Sequence, residues 1–199
     1  MSRRVVVVRT GTANLASVVA AFDRAGCEVQ LTAKADEIAA ADRLVLPGVG
    51  AFGAVADGLR AAGLAEPIRR VFLSGRPALA VCLGLQLLAE SSDEDPGVAG
   101  LGVLPATVTR FGPGLRVPQL GWNRIAADNG CRMLGDGAAY FANSYKLDSI
   151  PDGWSGATSD HGGEFVAAVE RGPVLACQFH PELSGAWGQD LIERWLATC

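Results

Sequence analysis

Cys82 sits in the run PALAVCLGLQLLAE (77–90), where an apolar stretch breaks at Cys-Leu-Gly and a second apolar stretch begins at once. A cysteine on a tight strand-to-helix turn is projected above the carboxyl ends of the strands, where open α/β sheets bind ligands. The helix that follows aims its unpaired N–H groups and positive dipole end at the thiol, which favours a nucleophilic thiolate and can also steady an oxyanion. Taken alone, a cysteine between two apolar runs reads more readily as a core thiol. A base must therefore be found, and the chain has only two histidines. His161, in TSDHGGEF, reads as an exposed loop histidine. His180, in LACQFHPELSG, closes an apolar strand just before a proline and a new helix, which puts it on the same rim as Cys82. Glu182, two residues on, can bond one ring nitrogen and leave the other to face the thiol. Cys82, His180 and Glu182 together form a candidate nucleophile, base and orienting carboxylate.

These three residues need a frame. The chain has 199 residues, of which 49% are hydrophobic and 19% charged, with a net charge of −4. That length suits a single domain over residues 1–199 with a substantial core. The charge gives no basic footprint for nucleic acid. The N-terminal MSRRVVVVRT has an apolar run too short for a signal peptide or a membrane span, so a cytoplasmic protein with no membrane partner is expected. The five cysteines (Cys27, Cys82, Cys131, Cys177, Cys199) are odd in number and lack any CxxC pair, which points to free thiols and no metal site. No cofactor is expected.

The first half alternates strand and helix signals. VVVV (5–8) is followed by helical ANLASVVAAFDRAG, with Asn14 as N-cap and Gly26 as stop. EVQL, RLVLPG and PALAV read as further strands; ADEIAAA, AVADGLRAAG, AEPIRRVFLSG and LGLQLLAE read as helices. SSDEDPG (91–97) reads as a polar, exposed loop. Beyond it the runs LPATVTRF, RVPQLGWNRI, AAYFANSYKL, WSGATSD, EFVAAVE and VLACQF are strand-like and more antiparallel in character, and a last amphipathic helix lies within GAWGQDLIERWLATC. The expected fold is α/β with three layers: a mixed, mainly parallel sheet, helices on both faces, and an added antiparallel portion.

AVCLGLQLL together with QFHPELSG resembles the nucleophile turn and His-Pro-Glu segment of the class I glutamine amidotransferases, which have a flavodoxin-like sheet. The resemblance covers nearly the whole chain. GTANLASV, LPGVGAFGAVADGL, VPQLGWNRI and YFANSYKLD are similar, in order and spacing, to the glutaminase subunits of imidazole glycerol phosphate synthase, of histidine biosynthesis. The resemblance implies that Cys82 attacks the side-chain amide of glutamine while His180, oriented by Glu182, moves the protons. It implies an oxyanion hole from the backbone N–H groups of Leu83 and of Val49 or Gly50. Gly48, Gly50, Gln86, Asn143, Ser144 and Tyr145 fall at substrate-binding positions. It also implies a heterodimer with a (β/α)8-barrel cyclase that receives the ammonia, with Asn14, Trp122, Asn123, Tyr140 and Leu183 in segments facing that partner. Trp122 by itself reads equally as core filling. A glutaminase serving another synthase, and a silent docking module, are the alternatives.

The chain departs from the family pattern at several places. Ala13 precedes Asn14, and Ala80 stands two residues before the nucleophile, where glycine is usual. Gln119 and Asn143 stand where histidines are common. Leu183 replaces a lysine that makes a polar contact with the cyclase, so this part of the interface must be built differently here. None of these departures removes a catalytic group.

Overall fold

The computed structural model describes residues 3–11 and 13–198. Met1, Ser2, Thr12 and Cys199 lie outside the described residues. In chain order the first half runs β1 (Arg3–Val8), α1 (Leu15–Arg24), β2 (Cys27–Thr32), α2 (Ala35–Ala39), β3 (Leu44–Gly48), α3 (Phe52–Ala61), α4 (Ala65–Leu73), β4 (Ala78–Cys82) and α5 (Leu83–Leu87). The second half runs β5 (Ser91–Ser92), β6 (Thr107–Arg110), β7 (Gln119–Ala127), β8 (Gly137–Asn143), β9 (Tyr145–Lys146), β10 (Ser155–Asp160), β11 (Glu164–Arg171), β12 (Val174–Cys177), a 3₁₀ turn (Pro181–Leu183) and α6 (Gly185–Ala197).

The main sheet has nine strands in the order β2-β1-β3-β4-β12-β11-β10-β7-β8. The pairs β1–β2, β1–β3, β3–β4 and β4–β12 are parallel; the pairs from β12 through β11, β10 and β7 to β8 are antiparallel. A small sheet of β5, β6 and β9 covers one side. Strand alternation divides the core in two. Val6, Val8, Leu44, Leu46, Ala78 and Ala80 point to the face covered by α2 to α5. Val5, Val7, Val45, Leu79, Val81 and Leu175 point to the face covered by α1 and α6. The helices bury stripes at helical spacing, such as Val18, Ala21 and Phe22 in α1 and Leu191, Ile192, Trp195 and Leu196 in α6. Among the described residues no helix is long and apolar enough to cross a membrane.

Two segments differ from their sequence reading. The helix in LGLQLLAE stops at Leu87, because Glu90 N–H instead donates to Ala106 O at 2.9 Å and leads the chain into the small sheet. SSDEDPG is not a free loop: Ser92 is 3% exposed in β5, and two of the three acids that follow work on α3. Glu94 Oε2 accepts from Phe52 N–H at 2.9 Å and Asp95 Oδ2 from Gly53 N–H at 2.7 Å. They satisfy two of the helix's orphan donors and set negative charge at its positive end. Gly53 is required for this, since a Cβ there would lie 2.7 Å from Asp95 Cγ.

Candidate active site

Cys82 ends β4 and stands immediately before α5, with φ 55° and ψ −111°. It is the only non-glycine residue with positive φ among the described residues, and such strain in a core strand end is held only where the surroundings over-determine it. The determinants are on β3. Gly48 pairs with Cys82, and α5 starts against β3 so closely that a Cβ on Gly84 would lie 2.0 Å from Leu46 O. Gly84 therefore serves the approach of helix to strand, while the tight backbone is carried by Cys82 itself. Ala80 is fully buried between Leu46 of β3 and Ala176 of β12, so its methyl group packs in the core.

His180 follows β12, beside β4 in the sheet, and Cys82 and His180 line one cleft of about 250 Å³. His180 Nδ1 bonds Glu182 Oε1 at 2.8 Å, both side chains being buried. Burial lowers the imidazole pKa, but the Cys82 sulfur and the Glu182 carboxylate outweigh it and push the ring up to about 10. This environment favours the protonated ring at neutral pH. The loop carrying His180 is pinned from outside: His180 N–H donates to Tyr140 O at 2.9 Å, and Ser184 Oγ donates to His180 O at 2.6 Å while accepting from Tyr140 N–H at 3.0 Å.

The same cleft is lined by Val49, Gly50, Leu83, Gln86, Asn143, Ser144 and Tyr145. Gly50 has φ +105°, a conformation open to glycine alone at low cost. Leu83 opens α5, and its N–H belongs to the unpaired first turn. Gly48 is set back from the cleft and packs beneath Leu83, a Cβ there lying 3.1 Å from Leu83 Cβ. Gln86 is held by its amide nitrogen, which donates to Tyr145 O at 3.1 Å and to Gln178 Oε1 at 3.0 Å. Sequence reasoning missed two residues here. Glu94 lines the cleft, from the segment taken as an exposed loop. Gln178, fully buried, places Nε2 3.8 Å from Cys82 Sγ; only its polar character inside an apolar strand end could have flagged it.

The matched family model is "Glutamine amidotransferase class-I", over residues 6–199. The chain belongs to the class I glutamine amidotransferases. Among curated relatives, this amidotransferase is 41% identical over 196 residues, 96% of each chain, to imidazole glycerol phosphate synthase subunit HisH of Rhodopirellula baltica. It is 38% identical over 200 residues to the chloroplastic imidazole glycerol phosphate synthase hisHF of Arabidopsis thaliana, covering 96% of this chain and 34% of that longer protein. A solved structure described as a glutamine amidotransferase superposes with a TM-score of 0.78 at 24% identity over 97% of both chains, a likeness of fold.

The remaining sequence-derived positions of the amidotransferase lie outside the lining of the cleft. β8 carries Tyr140 and Ala142, and Ala142 lines the cleft while pairing with Leu120 of β7. Trp122 is 59% exposed and Leu120 67% exposed, so Trp122 is not core filling. Its ring meets Tyr140 edge-on with centroids 6.4 Å apart, and its tip comes close to Gly185, where a Cβ would lie 3.6 Å away. Leu183, 38% exposed, projects from the turn between Glu182 and Gly185. Asn123 Nδ2 donates to Asp160 O at 2.6 Å. Asn14 caps α1, its Oδ1 accepting from Ser17 N–H at 3.5 Å. His161 is outside the cleft, bonded to Arg116 O at 2.9 Å and stacked edge-on against Phe111. Cys131 and Cys177 are free thiols that do not line the cleft: burial, with Glu170 and Asp128 nearby, pushes Cys131 up to about 11, and burial raises Cys177, on the strand beside Cys82, well above its ordinary value. Among the described residues no cluster of His, Cys, Asp and Glu could hold a metal ion.

Proposed function

We propose that this chain is the glutaminase subunit of an imidazole glycerol phosphate synthase, a single amidotransferase domain over residues 1–199 acting in the cytoplasm. Cys82 Sγ attacks the side-chain carbonyl of glutamine and the negative charge forms on the carbonyl oxygen. The N–H of Leu83 and that of Val49 or Gly50 receive that oxyanion. His180 gives its proton to the leaving nitrogen, the C–N bond breaks, and ammonia departs from a thioester. Water, deprotonated by His180, then cleaves the C–S bond and releases glutamate. Glu182 keeps Nδ1 protonated and supports the charged ring throughout. Gly48 holds the oxyanion segment against Leu83. Gln86, Asn143, Ser144, Tyr145 and the carboxylate of Glu94 form the wall that meets the amino-acid end of glutamine.

Ammonia released to water is protonated and lost, so a partner must cover the mouth. The apolar surface of Leu120, Trp122 and Leu183 beside the cleft suits a protein partner, with Asn14, Asn123 and Tyr140 around it. The relationship to the longer plant synthase, in which the matched part is joined to a further region, supports a synthase partner, which in this reading is the (β/α)8-barrel cyclase. The observation that carries the reading is the strained Cys82 facing a His180–Glu182 pair in one cleft. Cys82→Ala in the copurified complex should abolish glutamate release and leave the complex assembled. Retained glutaminase activity, or copurification with a different synthase, would overturn it.

A further inference from the structure

Gln178 is a buried carboxamide that the triad does not use. It lies just beyond β12, between Cys177 and Phe179, with all three residues fully buried. Enclosing an amide this way is costly unless its polar atoms are met. Its backbone N–H donates to Ala167 O at 2.8 Å, its Oε1 accepts from Gln86 Nε2 at 3.0 Å, and its Nε2 is 3.8 Å from Cys82 Sγ.

The two ends of a carboxamide have nearly the same shape, so the polarity has to be derived. The derivation starts at the backbone carbonyl of Tyr145, which can only accept. Gln86 bonds it at 3.1 Å, so the Gln86 atom there is nitrogen. The same nitrogen reaches Gln178, which must answer with oxygen. The other end of Gln178 is then its NH2 group, and that end faces the sulfur. One backbone carbonyl thereby fixes two side-chain amides and delivers an N–H donor to Sγ. Asn143 Nδ2 donates to the same carbonyl at 3.0 Å, which anchors the start of the relay in the cleft wall.

We propose that Gln178 is a positioning residue for the nucleophile: the relay from Tyr145 O through Gln86 and Gln178 holds the Cys82 sulfur and favours its anionic form. This rests on the reading of Cys82 as the nucleophile. A sulfur anion is a far better acceptor than a thiol, so a donor aimed at Sγ from a dry site stabilises the reactive state selectively. The other titratable groups about the sulfur are His180 with Glu182 beyond β12, Glu94 and Tyr145 in the cleft wall, and Cys177 on the neighbouring strand. Neither β3 nor α5 contributes one. Gln178 supplies its donor without adding charge.

The test is the pH profile of Cys82 carboxamidomethylation by iodoacetamide in the full chain, read by peptide mass, with Cys131 as an internal reference. Gln178→Met keeps length and bulk but removes the donor. Its profile should have a midpoint about one pH unit higher, with roughly tenfold slower labelling below the midpoint and the same plateau at high pH. An unmoved midpoint, with or without a lower plateau, would mean a packing role only and overturn the proposal. If Gln178→Met does not fold, Gln86→Met retains Gln178 but removes the group that sets its polarity. Its midpoint should rise by a smaller amount, and no rise would likewise overturn the proposal. Failure to label Cys82 in the parent chain would instead refute the nucleophile reading itself.

Discussion

The N–H of His180 donates to the carbonyl of Tyr140 at 2.9 Å, and this single bond joins the edge strand β8 to the segment leaving the centre of the sheet. The antiparallel strands curl round so that the last of them meets the continuation of β12. Ser184 completes the closure, its hydroxyl serving Tyr140 N–H and His180 O together while 1% exposed. Ser184→Ala leaves Tyr140 N–H without its partner, while His180 O keeps only the Leu183 N–H, 3.1 Å away. It should cost about 1–3 kcal/mol by urea denaturation and lower the glutaminase kcat by displacing the His180 ring.

Glu182→Gln tests the electrostatic part of the triad. The amide oxygen can still accept from Nδ1, so the ring keeps its place but loses the charge that supports its protonated form. Glutamate release by the complex should fall on the order of 100-fold, with little change in melting temperature. Full activity would mean that orientation alone is needed from residue 182.

His180 also links stability to pH. Its folded value of about 10 lies above the ordinary 6.5, so the charged ring binds its proton more tightly in the folded chain. The resulting stabilisation is complete below the ordinary value and is lost as pH rises through the folded one. The stability difference between the parent chain and His180→Asn, measured by urea midpoints, should therefore shrink as pH is raised from 6.5 toward 10. A difference that stays flat over this window would place a neutral ring in the folded state.

Trp122→Ala separates docking from folding. The side chain is 59% exposed and touches the site only through Tyr140 and Gly185. Stability should change by no more than about 0.5 kcal/mol, whereas affinity for the synthase partner, by titration calorimetry, should drop about 30-fold or more if the ring is a central anchor. Equal affinity would move the interface away from this face.

Gly84→Ala probes the seat of the nucleophile. The added methyl group would meet Leu46 O at 2.0 Å, a backbone atom that cannot yield without moving β3. The variant should lose at least 1–3 kcal/mol of stability and most of its glutaminase activity, because α5 and the N–H of Leu83 shift together. Normal stability and activity would show that helix and strand can part freely.

The triad was legible because its parts are scarce and local. With two histidines in the chain, and Glu182 two residues from His180, few pairings were available. The three layers were legible because β3, β4, β12 and the Val5–Val8 part of β1 are apolar runs, as strands covered on both faces must be. What escaped were relations between distant segments. Glu94 and Asp95 look like loop acids until the N-terminus of α3, forty-two positions away, is placed against them. Gly84 looks like part of a turn until β3 is seen to lie 2.0 Å from where its Cβ would be. Gln178 reads as one polar residue in a strand end because its two partners, Gln86 and Cys82, lie 92 and 96 positions away in sequence.

The closure at Tyr140 and His180 sets a rule for where this chain can change length. A single residue gained or lost inside β8 would exchange inward Asn143 and Phe141 for outward Ala142 and Tyr140, because neighbours on a strand face opposite sides. The slip would also move the carbonyl that receives His180 N–H. β10 already absorbs one irregularity, a bulge between Ala157 and Thr158, and the turns after Lys146 and around Gly162 are the other places where length can change without moving β11 and β12. The strands themselves act as a ruler that measures the base out to its nucleophile.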